Sequence, residues 1–131
     1  MQVIHTAQAP THTGPVPQAV EAHGWIYISA LFGADPHTDT IPDNAADEAE
    51  QLFTNLEAIL AAADATLTDV VRVRIVMRAL HRDRPTFNTV WARRFGDHRP
   101  ARSAIESPAF GRTEQNSRYL LEVTAYRVTS T

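Results

Sequence analysis

Polar and apolar residues alternate over Val70 to Met77, with Val71, Val73, Ile75 and Met77 on one face and Arg72, Arg74, Val76 and Arg78 on the other. A period of two predicts a half-buried β-strand. Upstream the repeat lengthens. Ala45, Ala49, Leu52, Phe53, Leu56, Ile59, Leu60 and Ala63 recur at three- and four-residue steps. They predict a helix with one buried stripe, capped by Asp43 or Asn44 and running to about Ala63. A second stripe, Phe87, Val90, Trp91 and Phe95, predicts another helix, with Asp83 as cap, Pro85 in the first turn and Gly96 at the left-handed C-terminal position. Ala19–Ala22 and Trp25–Ala30, split by His23-Gly24, predict a β-hairpin. Ala101–Glu106 and Tyr119–Val128 read as two further strands, and residues 5–18, 33–43 and 107–118 as loops.

The resulting order is β-β-α-β-α-β-β, an α+β layer in which both helices cover one face of a mixed sheet. One domain over residues 1–131 accommodates it, with no internal repeat. The arginine-bearing face of the Val70–Met77 strand suits solvent or a second copy of the chain, so an oligomer is expected.

Composition then narrows the chemistry. The net charge of −3 predicts no general attraction to nucleic acid or anionic lipid. No apolar run approaches transmembrane length and no signal-peptide pattern opens the chain, so a cytoplasmic protein is expected. Cysteine is absent and all 12 basic residues are arginine. Thiolate nucleophiles, Schiff-base lysines and the phosphate-binding GxxxxGK[ST] loop are thereby excluded. The 6 histidines show no two-histidine spacing on a helix face, so neither a metal nor another cofactor is expected. His5 and His12 belong to the N-terminal loop near the presumed cleft.

Two charges on strands stand out: Arg102, within Arg99-Pro100-Ala101-Arg102-Ser103, and Glu122, within Leu120-Leu121-Glu122-Val123-Thr124. Charges among aliphatic neighbours are paired, solvated in a cleft or functional. Across a pocket, the arginine would grip a carboxylate while the glutamate handled a proton or a water. The alternatives are that the two pair with each other, or that Arg102 bridges subunits. Ser29 and Ser103 lack a His-Asp pattern and read as hydrogen-bonding groups rather than nucleophiles. Trp91, Phe87 and Phe95 read as core, and Tyr126 shares Glu122's face of the last strand.

These segments, with Ala9-Pro10, Gly14-Pro15, Gln18-Ala19, Asn55-Leu56, Leu67-Thr68-Asp69-Val70-Val71 and Phe87-Asn88, resemble the RidA/YjgF/UK114 family of imine and enamine deaminases over essentially the whole chain. The resemblance implies a chorismate-mutase-like fold assembled as a trimeric barrel, a homotrimer with clefts between subunits. It implies cofactor-free hydrolysis of a small carboxylate-bearing imine or enamine to a keto acid and ammonia. Arg102 matches the family's carboxylate-binding arginine and Glu122 the acid that holds the attacking water. Val16, Ser29, Ala30, Leu31, Ser103, Ala104 and Phe110 fall where the family lines its pocket. Val16 replaces a tyrosine, Ala30-Leu31 a Gly-Gln pair and Ala104 a cysteine, and the 107–118 loop is a few residues longer. The expected substrate therefore differs from 2-aminoacrylate, being larger or more apolar. Two other readings stand beside this one: a pathway-specific catalyst on the same scaffold, and a non-catalytic trimer that binds a metabolite or a protein. The charge and the lack of a histidine pair or basic-aromatic surface argue against the ribonuclease activity described for some relatives.

Overall fold

The computed structural model describes residues 1–128. Six strands form one sheet: β1 (Gln2–Ile4), β2 (Ala19–Ala22), β3 (Trp25–Phe32), β4 (Val70–Met77), β5 (Ala101–Glu106) and β6 (Tyr119–Tyr126). Their spatial order is β1-β2-β3-β6-β4-β5. Only β4 and β5 run parallel. They are joined through α2 (Leu80–Phe95), while α1 (Ala45–Ala62) links β3 to β4. The expected α+β layer with a mixed sheet is therefore present.

Both helices cover one face. Leu52, Phe53, Leu56 and Leu60 of α1 meet Phe87, Val90 and Trp91 of α2 over Ile26, Val73, Ile75 and Leu121 of the sheet, all of them buried. Asn44 caps α1 by accepting from the Asp47 amide at 2.8 Å. The buried Asn55 side chain donates to the carbonyls of Phe32 (2.9 Å) and Ala34 (2.8 Å), fixing the end of β3 beneath the helix.

The elements differ from the expected ones at several places, β3 for instance running on to Phe32. β1 is an added strand, and its three residues are too few to show a periodicity; it is held by pairing with β2, with Ile4 opposite Ala19. α2 begins three residues before Asp83, because the Glu106 carboxylate of β5 accepts from the Leu80 amide (2.9 Å) and caps the helix from a distance. Asp83 is thus an internal, buried residue paired with Arg82, and Pro85 lies inside the helix. In β4 a register irregularity next to Val70 leaves Val71 exposed and puts Val70 in the core, so Val71 does not share the face of Val73. β6 ends at Tyr126, two residues before Val128. No described helix is long and apolar enough to cross a membrane.

Candidate functional site

Strand register decides where the two strand charges go. Arg102 of β5 lies opposite Val73 of β4, which is fully buried beneath the helices. Glu122 of β6 lies opposite Arg74, one residue further along β4. Successive residues of a strand point to opposite faces, so Arg102 projects to the helix side and Glu122 to the open side. Within one protomer they neither meet across a pocket nor pair with each other.

The Arg102 side chain is oriented by α2. Its guanidinium donates to the Asn88 side-chain oxygen at 2.7 Å and lies 4.7 Å above the Trp91 ring, with Phe87 at 5.9 Å. α2 therefore orients the fork from two sides, by a hydrogen bond and a cation–π contact. Burial, and then the neighbouring Arg84 charge, push the Arg102 pKa down. None of the ion pairs among the described residues involves Arg102. A partly desolvated cation with no carboxylate partner is suited to an anion from outside the protomer.

On the open face, Glu122 faces Arg74 at 3.6 Å with both side chains about half exposed, a pair of little energetic consequence. They line a groove of about 330 Å³ with Tyr27, Arg72 and Thr124. Tyr126 lies on the same face, tilted against Trp25 with ring centroids 4.7 Å apart. Along the same strands, Phe32, Val76 and Leu120 form a small buried cluster, with Ala30 and Phe110 packed on it. The Phe32 and Phe110 rings stack at 6.5 Å, and the Arg112 guanidinium lies 5.8 Å from Phe32. Beside this apolar floor is a cavity of about 360 Å³, lined by residues 11–13, Phe32, Asp39 and the loop residues 111, 112, 114 and 115.

The remaining pocket candidates divide between the two faces. Ala30 and Phe110 share the apolar cluster. Ser103 is on the open side, its hydroxyl 3.4 Å from Arg72. Ala104 packs against the helix-side core, as Arg102's neighbour but one. Leu31 is buried in the helix-side core, because the irregularity between Ile28 and Leu31 reverses the alternation of β3. It also borders a small recess beside Ala30, Phe32 and His12. Ser29 sits at that irregularity, and its amide donates to the Gln18 carbonyl at 3.0 Å. Val16 is exposed on the N-terminal segment and does not line the cavity.

Sequence reasoning treated Trp91 as core only and gave Asn88 no role. Their three-residue spacing on α2 places them on one flank, and that signal could have marked a platform for an arginine.

Comparison with known proteins identifies the scaffold. A profile of the family described as endoribonuclease L-PSP matches residues 6–126. The chain belongs to the YjgF/RidA family. The bovine 2-iminobutanoate/2-iminopropanoate deaminase is 38% identical over 117 residues, 86% of this chain and 85% of that protein. A RutC family protein of Pyrococcus horikoshii is 35% identical over 106 residues, 80% of this chain and 83% of its own. Among solved structures, RidA from an Antarctic Psychrobacter superposes with a TM-score of 0.89 at 32% identity, covering 96% of this chain and 99% of that one. E. coli TdcF with bound serine gives a TM-score of 0.90 at 26% identity, covering 98% and 100%.

Proposed function

We propose that this YjgF/RidA family chain is an imine/enamine deaminase. It hydrolyses a carboxylate-bearing imine or enamine to a 2-keto acid and ammonia, with no cofactor. The observation that carries this reading is Arg102: a half-buried guanidinium, oriented by Asn88 and Trp91, with no carboxylate partner among the described residues. Such a fork takes a substrate carboxylate through two parallel charge-assisted hydrogen bonds, fixing orientation as well as charge. An iminium carbon is already electrophilic, so a positioned water and modest proton transfer complete the reaction. Relatives 35–38% identical that are named 2-iminobutanoate/2-iminopropanoate deaminases support the reaction class.

The substrate side chain rests on the open-face floor of Ala30, Phe32, Phe110 and Leu120, which favours an apolar group larger than that of 2-aminoacrylate. Arg102 lies on the opposite face of its own sheet, so a second copy supplies it to this floor, as in the homotrimer that the family resemblance implies. Glu122 keeps, within this proposal, the water-holding role of its family counterpart. A net charge of −3 offers no general attraction for RNA, which supports the small-molecule reading over a nuclease.

The test generates small 2-imino acids with an amino-acid oxidase and follows their disappearance with wild type and Arg102→Ala. Wild type accelerates hydrolysis, and the substitution lowers kcat/KM about 10- to 150-fold, the equivalent of roughly 1.5–3 kcal/mol for a charge-assisted hydrogen bond. No acceleration with any imine would overturn the deaminase reading; equal acceleration by both proteins would overturn the role of Arg102.

A further inference from the structure

Imine hydrolysis needs a group that takes a proton from the attacking water and returns one to the departing nitrogen. Glu122 is paired with Arg74, a cation that holds it as a carboxylate acceptor. Leu120, two residues earlier on the same face, contributes only an apolar floor. The cavity beside that floor contains a second titratable group, His12.

We propose that His12 is the proton-transferring residue of this enzyme. The inference rests on the deaminase reading above and assigns one of its steps. His12 lines the 360 Å³ cavity and also the small recess formed by Pro10, Ala30, Phe32 and Arg112. Its segment is held firmly. The buried Gln18 side chain donates to the carbonyls of Thr6 (3.0 Å), Ala9 (3.1 Å) and Pro10 (2.9 Å) and accepts from the Thr6 amide (2.7 Å). A neutral imidazole carries one donor and one acceptor nitrogen, so it can both take and return a proton.

The charged groups around it are few. Arg112 lies near the ring and is itself engaged by Asp39 (2.9 Å) and the Gln115 side chain (3.0 Å); Glu114 lines the far part of the cavity. Burial, and then the Arg112 charge, push the His12 pKa below the ordinary histidine value of 6.5, so at neutral pH the ring is an uncharged base. It comes from a loop rather than a strand, and the loop residues 111, 112, 114 and 115 line the cavity with it.

Water oxygen bonds to the iminium carbon, the C=N π pair moves to nitrogen, and the free His12 nitrogen takes the water proton. The imidazolium then protonates the amine of the carbinolamine. The C–N bond breaks, the hydroxyl proton passes to the departing ammonia, and the keto acid and ammonium leave with His12 neutral again.

The experiment compares wild type, His12→Asn, Glu122→Gln and Glu114→Gln in the oxidase-coupled imine assay, with kcat and KM measured from pH 5 to 8 and spontaneous hydrolysis subtracted. Wild-type kcat should rise with pH through an acid limb centred below 6.5. His12→Asn should lower kcat by about 100-fold, leave KM within a few-fold, abolish the limb, and recover activity with added imidazole. Arg112→Gln should move the limb to higher pH, since a cation that depresses the histidine has gone; a purely structural role for His12 would not predict that shift. Undiminished kcat in His12→Asn, or a limb that persists in it and vanishes in Glu122→Gln or Glu114→Gln, would overturn the assignment. If wild type itself accelerates nothing, it is the deaminase reading that fails.

Discussion

Removing the carboxylate of Glu48 should loosen the start of β6 and the loop that feeds the cavity. Glu48 is fully buried on α1, yet it is not an isolated charge. It accepts from the backbone amides of Arg118 (2.8 Å) and Tyr119 (3.2 Å), the Ser117 hydroxyl (3.3 Å) and the Arg118 guanidinium (2.9 Å). Burial pushes its pKa up and those donors pull it down, with burial prevailing. In Glu48→Ala, two backbone amides lose their acceptor at once, and the mostly buried Arg118 guanidinium keeps only the carbonyls of Pro42 and Asp43. Each orphaned donor costs about 1–3 kcal/mol, and breaking a buried pair from one side about 3–5 kcal/mol. Water entering the vacated space solvates the orphaned donors and keeps the total below that sum, so about 3–5 kcal/mol is expected, or roughly 10–20 °C in Tm. Arg118→Ala leaves the carboxylate three of its four donors and should cost less than half as much. The double variant should then be more stable than the sum of the singles predicts. Urea unfolding followed by circular dichroism, at one fixed protomer concentration, measures all three. Hydrogen exchange should rise across residues 110–119. A Glu48→Ala variant within about 1 kcal/mol of wild type, or strictly additive effects, would refute this account of the cluster.

Two further predictions concern packing and assembly. A Cβ at Gly33 would lie 2.5 Å from the Glu48 carbonyl oxygen and 2.8 Å from its Cγ, so Gly33→Ala must displace β3 from α1. The expected cost is about 1–3 kcal/mol in urea unfolding, and a change under about 0.5 kcal/mol would show that the contact yields freely. If Arg102 and His12 of one site come from different copies, Arg102→Ala and His12→Asn proteins that are separately impaired should regain activity when refolded together. Random mixing in equal amounts regenerates about one quarter of the sites, and a mixture no more active than its components would place both residues in one protomer's site.

Much of the architecture is legible along the chain because its periodicities are unambiguous. The three-and-four stripe of α1 and the alternation of β4 specify a helix and a strand whose apolar faces must be buried, and Arg99-Pro100-Ala101-Arg102-Ser103 marks the cationic grip. Alternation, however, assigns a residue to a face of its own strand only. Whether Arg102 and Glu122 share a face depends on the pairing of Val73 with Arg102 and of Arg74 with Glu122, contacts between distant segments. The same applies to Val71 and Leu31, each displaced from its expected side by a register irregularity. α2 starts where it does because Glu106 of another strand caps it, and β1 exists because β2 offers an edge. His12 lies in a proline-bearing loop with no periodicity to read, and the Gln18 side chain ties that loop down through the carbonyls of Ala9 and Pro10. The sequence by itself determined which elements form and which side chains carry charge. Tertiary structure decided which of them face one another, because inter-strand register and long-range hydrogen bonds are properties of pairs of segments.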